Sequence, residues 1–202
     1  MFTGIVQGVG EVVAIEAKEG LSHFTVAFPD GLEAGIEVGA SVAHNGCCLT
    51  VTHIEGNRIG FDAMIQTLSL TNLSELGVGS RVNLERAARI GDEIGGHLTS
   101  GHIAGMAAVD EIVERPNNRR LWFRFPAEFT PFILDKGFIG VNGASLTVSS
   151  VEPGRFSVDL IPETLALTTF GDYREGDHVN IELDPQTQAI VTTVERILAM
   201  KT

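Results

Sequence analysis

The 202-residue chain has only two cysteines, Cys47 and Cys48, and they are adjacent. Neighbouring cysteines rarely bridge each other, and with no second pair there is neither a disulfide framework nor a cysteine set for zinc. A reducing cytoplasm is the expected compartment. Positive charge is also scarce: 14 Lys and Arg stand against 26 Asp and Glu, for a formal net charge of −12. Phosphate backbones are held by clustered Lys and Arg, so no nucleic-acid partner is expected. No run approaches the roughly eighteen apolar residues of a membrane-spanning helix, so no membrane partner is expected either. The opening "MFTGIVQG" lacks a basic stretch followed by a long apolar run, and no signal peptide is read there.

What the chain has instead is a repeat. "NGCCLTV" begins at Asn45 and "NGASLTV" at Asn142, 97 residues further on. The same offset lays "FDAMIQTLSLT" from Phe61 on "VDLIPETLALT" from Val158, and "VNLE" from Val82 on "VNIE" from Val179. It carries Phe2-Thr3-Gly4-Ile5-Val6 onto Thr99-Ser100-Gly101-His102-Ile103 without an insertion. The chain is a tandem duplication, and each copy is large enough for a modest core of its own.

Within the first copy, "GEVVAIEA", "HFTVAF", "SVAHNGCCLTVTHIE" and "RIGFDAM" read as strands, followed by a helix-like "IQTLSLTNLSEL" and the strand-like "RVNLERAA". The second repeats the order with "AAVDEIVE", "RLWFRF", "FIGVNGASLTVSSVE", "RFSVDLI", "ETLALTTF" and "HVNIEL". Short strands punctuated by Gly, Asn and Pro suggest a small all-β barrel or sandwich, and a barrel also removes exposed edges. The copies are expected to divide inside residues 87 to 97, giving units 1–96 and 97–184. The tail, 185–202, lies outside the repeat. Asp184-Pro185 predicts a helix N-cap and first turn. Ile190, Val191, Val194, Ile197 and Leu198 form one apolar stripe on that helix, expected to pack against partner chains.

Alternation in a strand puts Cys47, Leu49 and Val51 on one face and Gly46, Cys48, Thr50 and Thr52 on the other. The second copy sorts alike: Ala144, Leu146 and Val148 against Gly143, Ser145, Thr147 and Ser149. One face fits a core. The other carries small residues with hydroxyls or a thiol, which suits a flat ligand better than bulk water does. "IQTL" and "PETL" offer amide, carboxylate and hydroxyl groups at matching places after a strand, where Thr and Glu also serve as helix caps. His102 takes the place of Ile5 and so breaks the repeat, and an imidazole suits proton transfer near neutral pH. His97 and His102 are five apart in "HLTSGH" with no third ligand in view, so no metal is expected.

"MFTGIV", "HNGCCLTV", "DEIGGHLTSGH", "KGFIGVNGASLTV" and "IPETL…TT" follow one another along the chain. In these motifs the chain resembles the α-type riboflavin synthases, collinearly over essentially its whole length. The resemblance implies two six-stranded, Greek-key-like lumazine-binding barrels in tandem, a C-terminal oligomerisation helix, and a cytoplasmic homotrimer with sites between neighbouring chains. It implies a transferase of riboflavin biosynthesis that uses neither cofactor nor metal. Two molecules of 6,7-dimethyl-8-ribityllumazine exchange a four-carbon unit, giving riboflavin and 5-amino-6-(D-ribitylamino)uracil. Two identical substrates explain two homologous pockets.

By the same resemblance Cys48, His102, Ser145, Thr147 and Asp184 surround the chemistry, with Asp184 equally readable as the helix cap. One lumazine is expected against Gly4, Ile5, Val6, Cys48, Leu49 and Thr50, and against Asp62, Ala63, Met64, Ile65, Gln66 and Thr67. The other is expected against Gly101, His102, Ile103, Lys136, Ser145, Leu146 and Thr147, and against Ile161, Pro162, Glu163, Thr164, Leu165 and Ala166. Gln66 stands where many family members carry Glu, and its amide can both donate and accept. The rival reading is a non-catalytic lumazine- or flavin-binding antenna protein of the same fold, but such proteins have degraded second-copy motifs, which are intact here. A flavin-reductase-like barrel would need a following nicotinamide-binding βαβ unit, and none is present.

Overall fold

Asn-Gly is a strong short-range signal for a two-residue hairpin, and it decides the fold at two places. The structure, a computed structural model, describes residues 1–200. The first copy contains β1 (Gly8–Lys18), β2 (Leu21–Ala27), β3 (Ser41–His44), β4 (Cys47–Glu55) and β5 (Arg58–Met64). It ends with α1 (Ile65–Leu70), a 3₁₀ turn (Asn72–Glu75) and β6 (Arg81–Arg86). The single strand expected across "SVAHNGCCLTVTHIE" is therefore two strands, β3 and β4. Asn45 and Gly46 both take positive φ, 46° and 81°, as a type I′ turn requires.

The second copy repeats this with β7 (Gly105–Arg115), β8 (Asn118–Arg124), a 3₁₀ turn (Ala127–Phe132), β9 (Phe138–Val141), β10 (Ala144–Glu152) and β11 (Arg155–Leu160). Then come α2 (Pro162–Leu167), a further 3₁₀ turn (Thr169–Gly171) and β12 (His178–Leu183). Here "FIGVNGASLTVSSVE" splits in the same way, at Asn142 and Gly143 with φ of 41° and 81°.

Each copy closes into a six-stranded antiparallel barrel, in the cyclic order β1-β2-β5-β4-β3-β6 and its equivalent β7-β8-β11-β10-β9-β12. Register shifts fall at matching places, Val12/Ala14 with Val109/Glu111 and Val51/His53 with Val148/Ser150. Such irregularities bend strands sharply enough to close a small barrel. Each barrel holds its own apolar core. The cross-strand pairs Phe24–Phe61 and Val26–Ile59 of the first become Leu121–Val158 and Phe123–Phe156 in the second. The bulk has moved from one layer to the next, a volume-conserving repacking that keeps the barrel filled.

The barrels meet about an approximate two-fold axis at the two Asn-Gly turns. Asn83 Nδ2 donates to the Asn142 carbonyl and Asn180 Nδ2 to the Asn45 carbonyl, both at 2.9 Å. Asn45 Oδ1 accepts from the Asn83 amide and Asn142 Oδ1 from the Asn180 amide, at 2.9 and 2.6 Å. All four asparagines are buried: Asn45 and Asn142 pair within their own barrels, and Asn83 and Asn180 pair across the junction, which is why "VN" and "NG" occur in both copies.

The tail forms α3 (Pro185–Ala199). Asp184 caps it, accepting from the Thr187 amide at 2.8 Å and the Thr187 hydroxyl at 2.7 Å. On the single chain the expected stripe is largely uncovered: Ile190, Val194, Ile197 and Leu198 are exposed, and Val191 is half-buried. Among the described residues no helix is long and apolar enough to cross a membrane.

Candidate functional site

Strand alternation sorts β4 as expected. Cys47, Leu49 and Val51 are buried, Cys48 is half-buried and Thr50 is exposed. In β10, Ala144 and Val148 are buried, Ser145 and Leu146 half-buried, and Thr147 exposed. The two adjacent thiols thus live in different media. Burial pushes the Cys47 thiol up to about 12, and it is a core side chain, whereas Cys48 faces the opposite way.

The segments that begin each copy do not stay with their own strand. The Cys48 amide donates to the carbonyl of Gly101 at 2.9 Å, and the Ser145 amide to the carbonyl of Gly4 at 2.7 Å. Ile103 packs on the first core and Val6 lies inside the second. The expected grouping is therefore exchanged: Gly101, His102 and Ile103 complete the Cys48 side, and Gly4, Ile5 and Val6 complete the Ser145 side.

The physical cause is a carboxylate hook at the base of each arm. Glu85 of β6 accepts from the Thr3 amide (2.6 Å), the Thr3 hydroxyl (2.8 Å) and the Gly4 amide (3.0 Å). Glu182 of β12 accepts from the Ser100 amide (2.6 Å), the Ser100 hydroxyl (2.7 Å) and the Gly101 amide (3.1 Å). Burial pushes the Glu85 carboxyl up, with the bonds from Thr3 and Gly4 opposing it. Each arm is anchored at its own barrel and reaches across the two-fold axis. Gly4 and Gly101 have φ of 72° and 81°, and a Cβ on them would lie 2.5 Å from the Cβ of Ser145 and of Cys48 respectively.

On the Cys48 side a cavity of about 200 Å³ is lined by Cys48, Gln66, Thr67, Gly101, His102 and Ile103 among others, with Cys47 also at its wall. His102 is exposed there, its amide held by the Ser100 hydroxyl at 3.1 Å. Asp62 Oδ1 lies at hydrogen-bond distance from His23 Nδ1, 2.6 Å. Ala63 is fully buried in the first core, so it can offer a ligand only its backbone, while Met64 and Ile65 are exposed and lie outside the cavity lining. The capping reading of "IQTL" and "PETL" does not hold. The N-cap positions are Met64 and Ile161, with no side-chain cap bond. The hydroxyls that bind backbone there are those of Thr71 and Thr168, to the carbonyls of Thr67 and Thr164 at 2.8 and 2.6 Å.

The Ser145 side differs. The connection between the copies lies over it, and His97 Nδ1 sits 2.6 Å from Ser145 Oγ. The imidazole stacks on Phe138 with centroids 5.2 Å apart and 16° between planes. A Cβ on Gly96 would fall 2.6 Å from Ser145 Cβ, so glycine is what lets the connection approach. Burial pushes the His97 ring down, with the Asp184 and Glu182 carboxylates opposing. Beyond it a cavity of about 440 Å³ is lined by His97, Thr99, Ser100, Phe138 and Asp184 among others. Asp184 therefore both caps α3 and charges this cavity. Ile161, Pro162, Glu163 and Ala166 are exposed around α2, Thr164 is half-buried, and Leu165 packs on the second core. Lys136 is exposed and donates from Nζ to the Ser149 carbonyl at 3.0 Å.

Sequence reasoning weighed His97 only as a metal ligand and missed its place beside Ser145; the small "GG" before it was the available signal of close approach. Among the described residues no three His, Cys, Asp or Glu side chains gather as a metal site.

Comparison with known proteins agrees with this architecture. The family model described as the lumazine binding domain matches residues 3–87 and again residues 100–184. The riboflavin synthase of Escherichia coli (strain K12) is 56% identical over 202 residues, covering 100% of this chain and 95% of that protein. The riboflavin synthase of Chlamydia pneumoniae is 46% identical over 200 residues, covering 98% of each. A solved structure of LumP complexed with riboflavin superposes with a TM-score of 0.84 at 32% identity, covering 91% of this chain and 99% of that one. LumP complexed with 6,7-dimethyl-8-(1'-D-ribityl) lumazine superposes with a TM-score of 0.83 at 30% identity over the same shares.

Proposed function

The chain belongs to the riboflavin synthase family, and on that premise we propose that it converts two molecules of 6,7-dimethyl-8-ribityllumazine into riboflavin and 5-amino-6-(D-ribitylamino)uracil. One observation carries the reading: a single chain owns two homologous pockets whose reactive positions differ, Cys48 in one and Ser145 in the other. A dismutation needs this. Two copies of one molecule must be bound alike, yet one gives up a four-carbon unit and the other receives it. The transfer balances between the two substrates, so no external oxidant or reductant enters. Holding both in register can supply up to about 7–11 kcal/mol of the barrier.

The first pocket would use Cys48, Thr50, Gln66, Thr67 and the arm Gly101–His102–Ile103. The second would use Ser145, Thr147, Glu163, Thr164, Lys136 and the arm Gly4–Ile5–Val6. Cys48 and His102 offer a thiol and an imidazole to one ring, Ser145 a hydroxyl to the other, and Asp184 a negative charge behind it. The working units are 1–96, 97–184 and the tail 185–202. The uncovered stripe of α3 supports assembly into a homotrimer in which the first pocket of one chain faces the second pocket of its neighbour.

The test is purified protein with the lumazine alone. One flavin is expected for every two lumazines consumed. The LumP complexes favour a second reading, binding without turnover, and lumazine that binds but yields no flavin would establish it. Mixing chains disabled at Cys48 and Thr50 with chains disabled at Ser145 and Thr147 tests the shared site: activity returns only where one site joins two chains.

A further inference from the structure

Cys48 and Ser145 occupy equivalent places, but among the described residues only Ser145 has a side-chain hydrogen-bond partner. Its hydroxyl oxygen lies 2.6 Å from His97 Nδ1, and His97 comes from the segment between β6 and β7 rather than from a strand of either barrel. The imidazole is 7% exposed, stacked on Phe138, and its Nε2 is buried without a partner among the described residues. A buried ring held this firmly, at normal hydrogen-bond length from a site hydroxyl, is placed rather than incidental.

We infer that His97 is a positioning residue for Ser145: with its proton on Nε2 it accepts the Ser145 hydroxyl hydrogen at Nδ1, turning the serine oxygen's lone pairs into the second pocket. The inference rests on the synthase reading above. Two carboxylates act on the ring, Asp184 at the start of α3 and Glu182 on β12; both favour a second proton, and burial, the larger effect, opposes it. With the ring's one proton on Nε2, the Nδ1 lone pair is the acceptor that the 2.6 Å contact to the hydroxyl calls for. Burial opposes a second proton, which leaves the Nδ1 lone pair free at neutral pH. An oxygen whose hydrogen is already committed is a better acceptor and a better nucleophile toward an electron-poor ring. If the imidazole gains a second proton, Nδ1–H donates to the serine instead. The hydroxyl then turns its hydrogen outward, and the pocket presents a donor where it had an acceptor. The first pocket has no such device, since Cys48 receives no side-chain hydrogen bond among the described residues. The two pockets thus differ in polarity as well as in thiol against hydroxyl.

Two variants and one spectrum test this. His97→Phe keeps the stack on Phe138 and removes the bond, while His97→Asn keeps an acceptor near Nδ1. With lumazine as substrate, His97→Phe is expected to lower kcat by about tenfold or more with KM changed less than about twofold, and His97→Asn to recover part of the loss. The acid limb of the wild-type kcat profile should vanish in His97→Phe. Adding His97→Phe to Ser145→Ala should cost nothing further. Nitrogen-15 NMR of the histidines should show His97 protonated at Nε2 and bare at Nδ1 at neutral pH, whatever the turnover. A proton found on Nδ1, losses that add in the double variant, or a fully active His97→Phe enzyme would each overturn the inference. Failure of the wild type to make flavin would instead sink the synthase reading, and the spectrum would still decide the tautomer. If His97→Phe loses its melting transition, His97→Asn and the spectrum carry the test alone.

Discussion

Gly46 and Gly143 face each other across the junction so closely that a Cβ placed on either would lie 2.7 Å from the other's amide nitrogen. Each also has φ of 81°, where a side chain is strained regardless of space. Gly154 shares the strain, with φ of 78°, but has open space around it. Gly154→Ala is expected to cost about 1 kcal/mol, and Gly46→Ala or Gly143→Ala at least about twice that, read from denaturant midpoints. Equal losses at all three would mean that the junction yields freely.

The exchanged arms make a prediction about thiols. Cys48 is half-buried beneath Gly101 and Cys47 is in the core with its thiol pushed up to about 12. Near pH 8 a small alkylating reagent should label one cysteine per native chain, Cys48, and both after unfolding. Gly101→Ala must displace the arm over Cys48 and speed its labelling, while Gly4→Ala, which disturbs Ser145, should leave the rate close to wild type. The opposite order would show that each arm serves its own barrel.

His44 supplies a pH dependence of stability. It is buried in the first barrel at 2% exposure, edge-on to Phe61 at 4.1 Å, with one bond to the Val42 carbonyl at 3.3 Å. Burial lowers its pKa from 6.5 to about 4, the carbonyl bond opposing. The unfolded chain therefore binds this proton more readily than the folded one. The contribution to stability is whole above pH 6.5 and is lost as pH falls from 6.5 to about 4, amounting to about 3 kcal/mol. His44→Val, which installs the second copy's Val141, removes that slope. Comparing denaturation of the two proteins at pH 7 and pH 4.5 measures it, and parallel losses would exclude His44 as the cause.

Truncation after Asp184 removes the stripe of α3. Ile190, Val194, Ile197 and Leu198 are 65%, 50%, 48% and 60% exposed on the lone chain, and burying each against a partner is worth up to about 1.5–3 kcal/mol before entropy losses. Sedimentation should find a monomer whose barrels keep their melting transition. A persistent trimer would move the interface to the barrels.

Much of this was legible in the residues. The repeat gave two like units, alternation in "CCLTV" and "ASLTV" gave the correct faces, and Asp184-Pro185 gave the helix start. The hairpins were overlooked although Asn-Gly was in plain view, because the apolar residues flanking it read as one continuous strand. The arm exchange was beyond reach for a different reason. A duplication states that each copy owns an arm and a strand, but which barrel the arm lies on depends on Glu85, Glu182 and a long-range contact that no local pattern encodes. His97 escaped because it belongs to neither copy's repeat.

Arms that cross the axis also set an order of events on the ribosome. The first barrel can close when β6 has emerged, but Val6 has no home until the second core exists. Cys48 stays uncovered until Gly101 has left the tunnel, and the amino-terminal arm waits longer still, for Ser145. A nascent chain halfway through synthesis therefore carries a closed barrel whose leading arm is hooked at Glu85 but whose Val6 is still without a core to enter. Until the second copy is made, the Cys48 amide and the side chain of Val6 both wait for partners that the finished molecule supplies from the other copy.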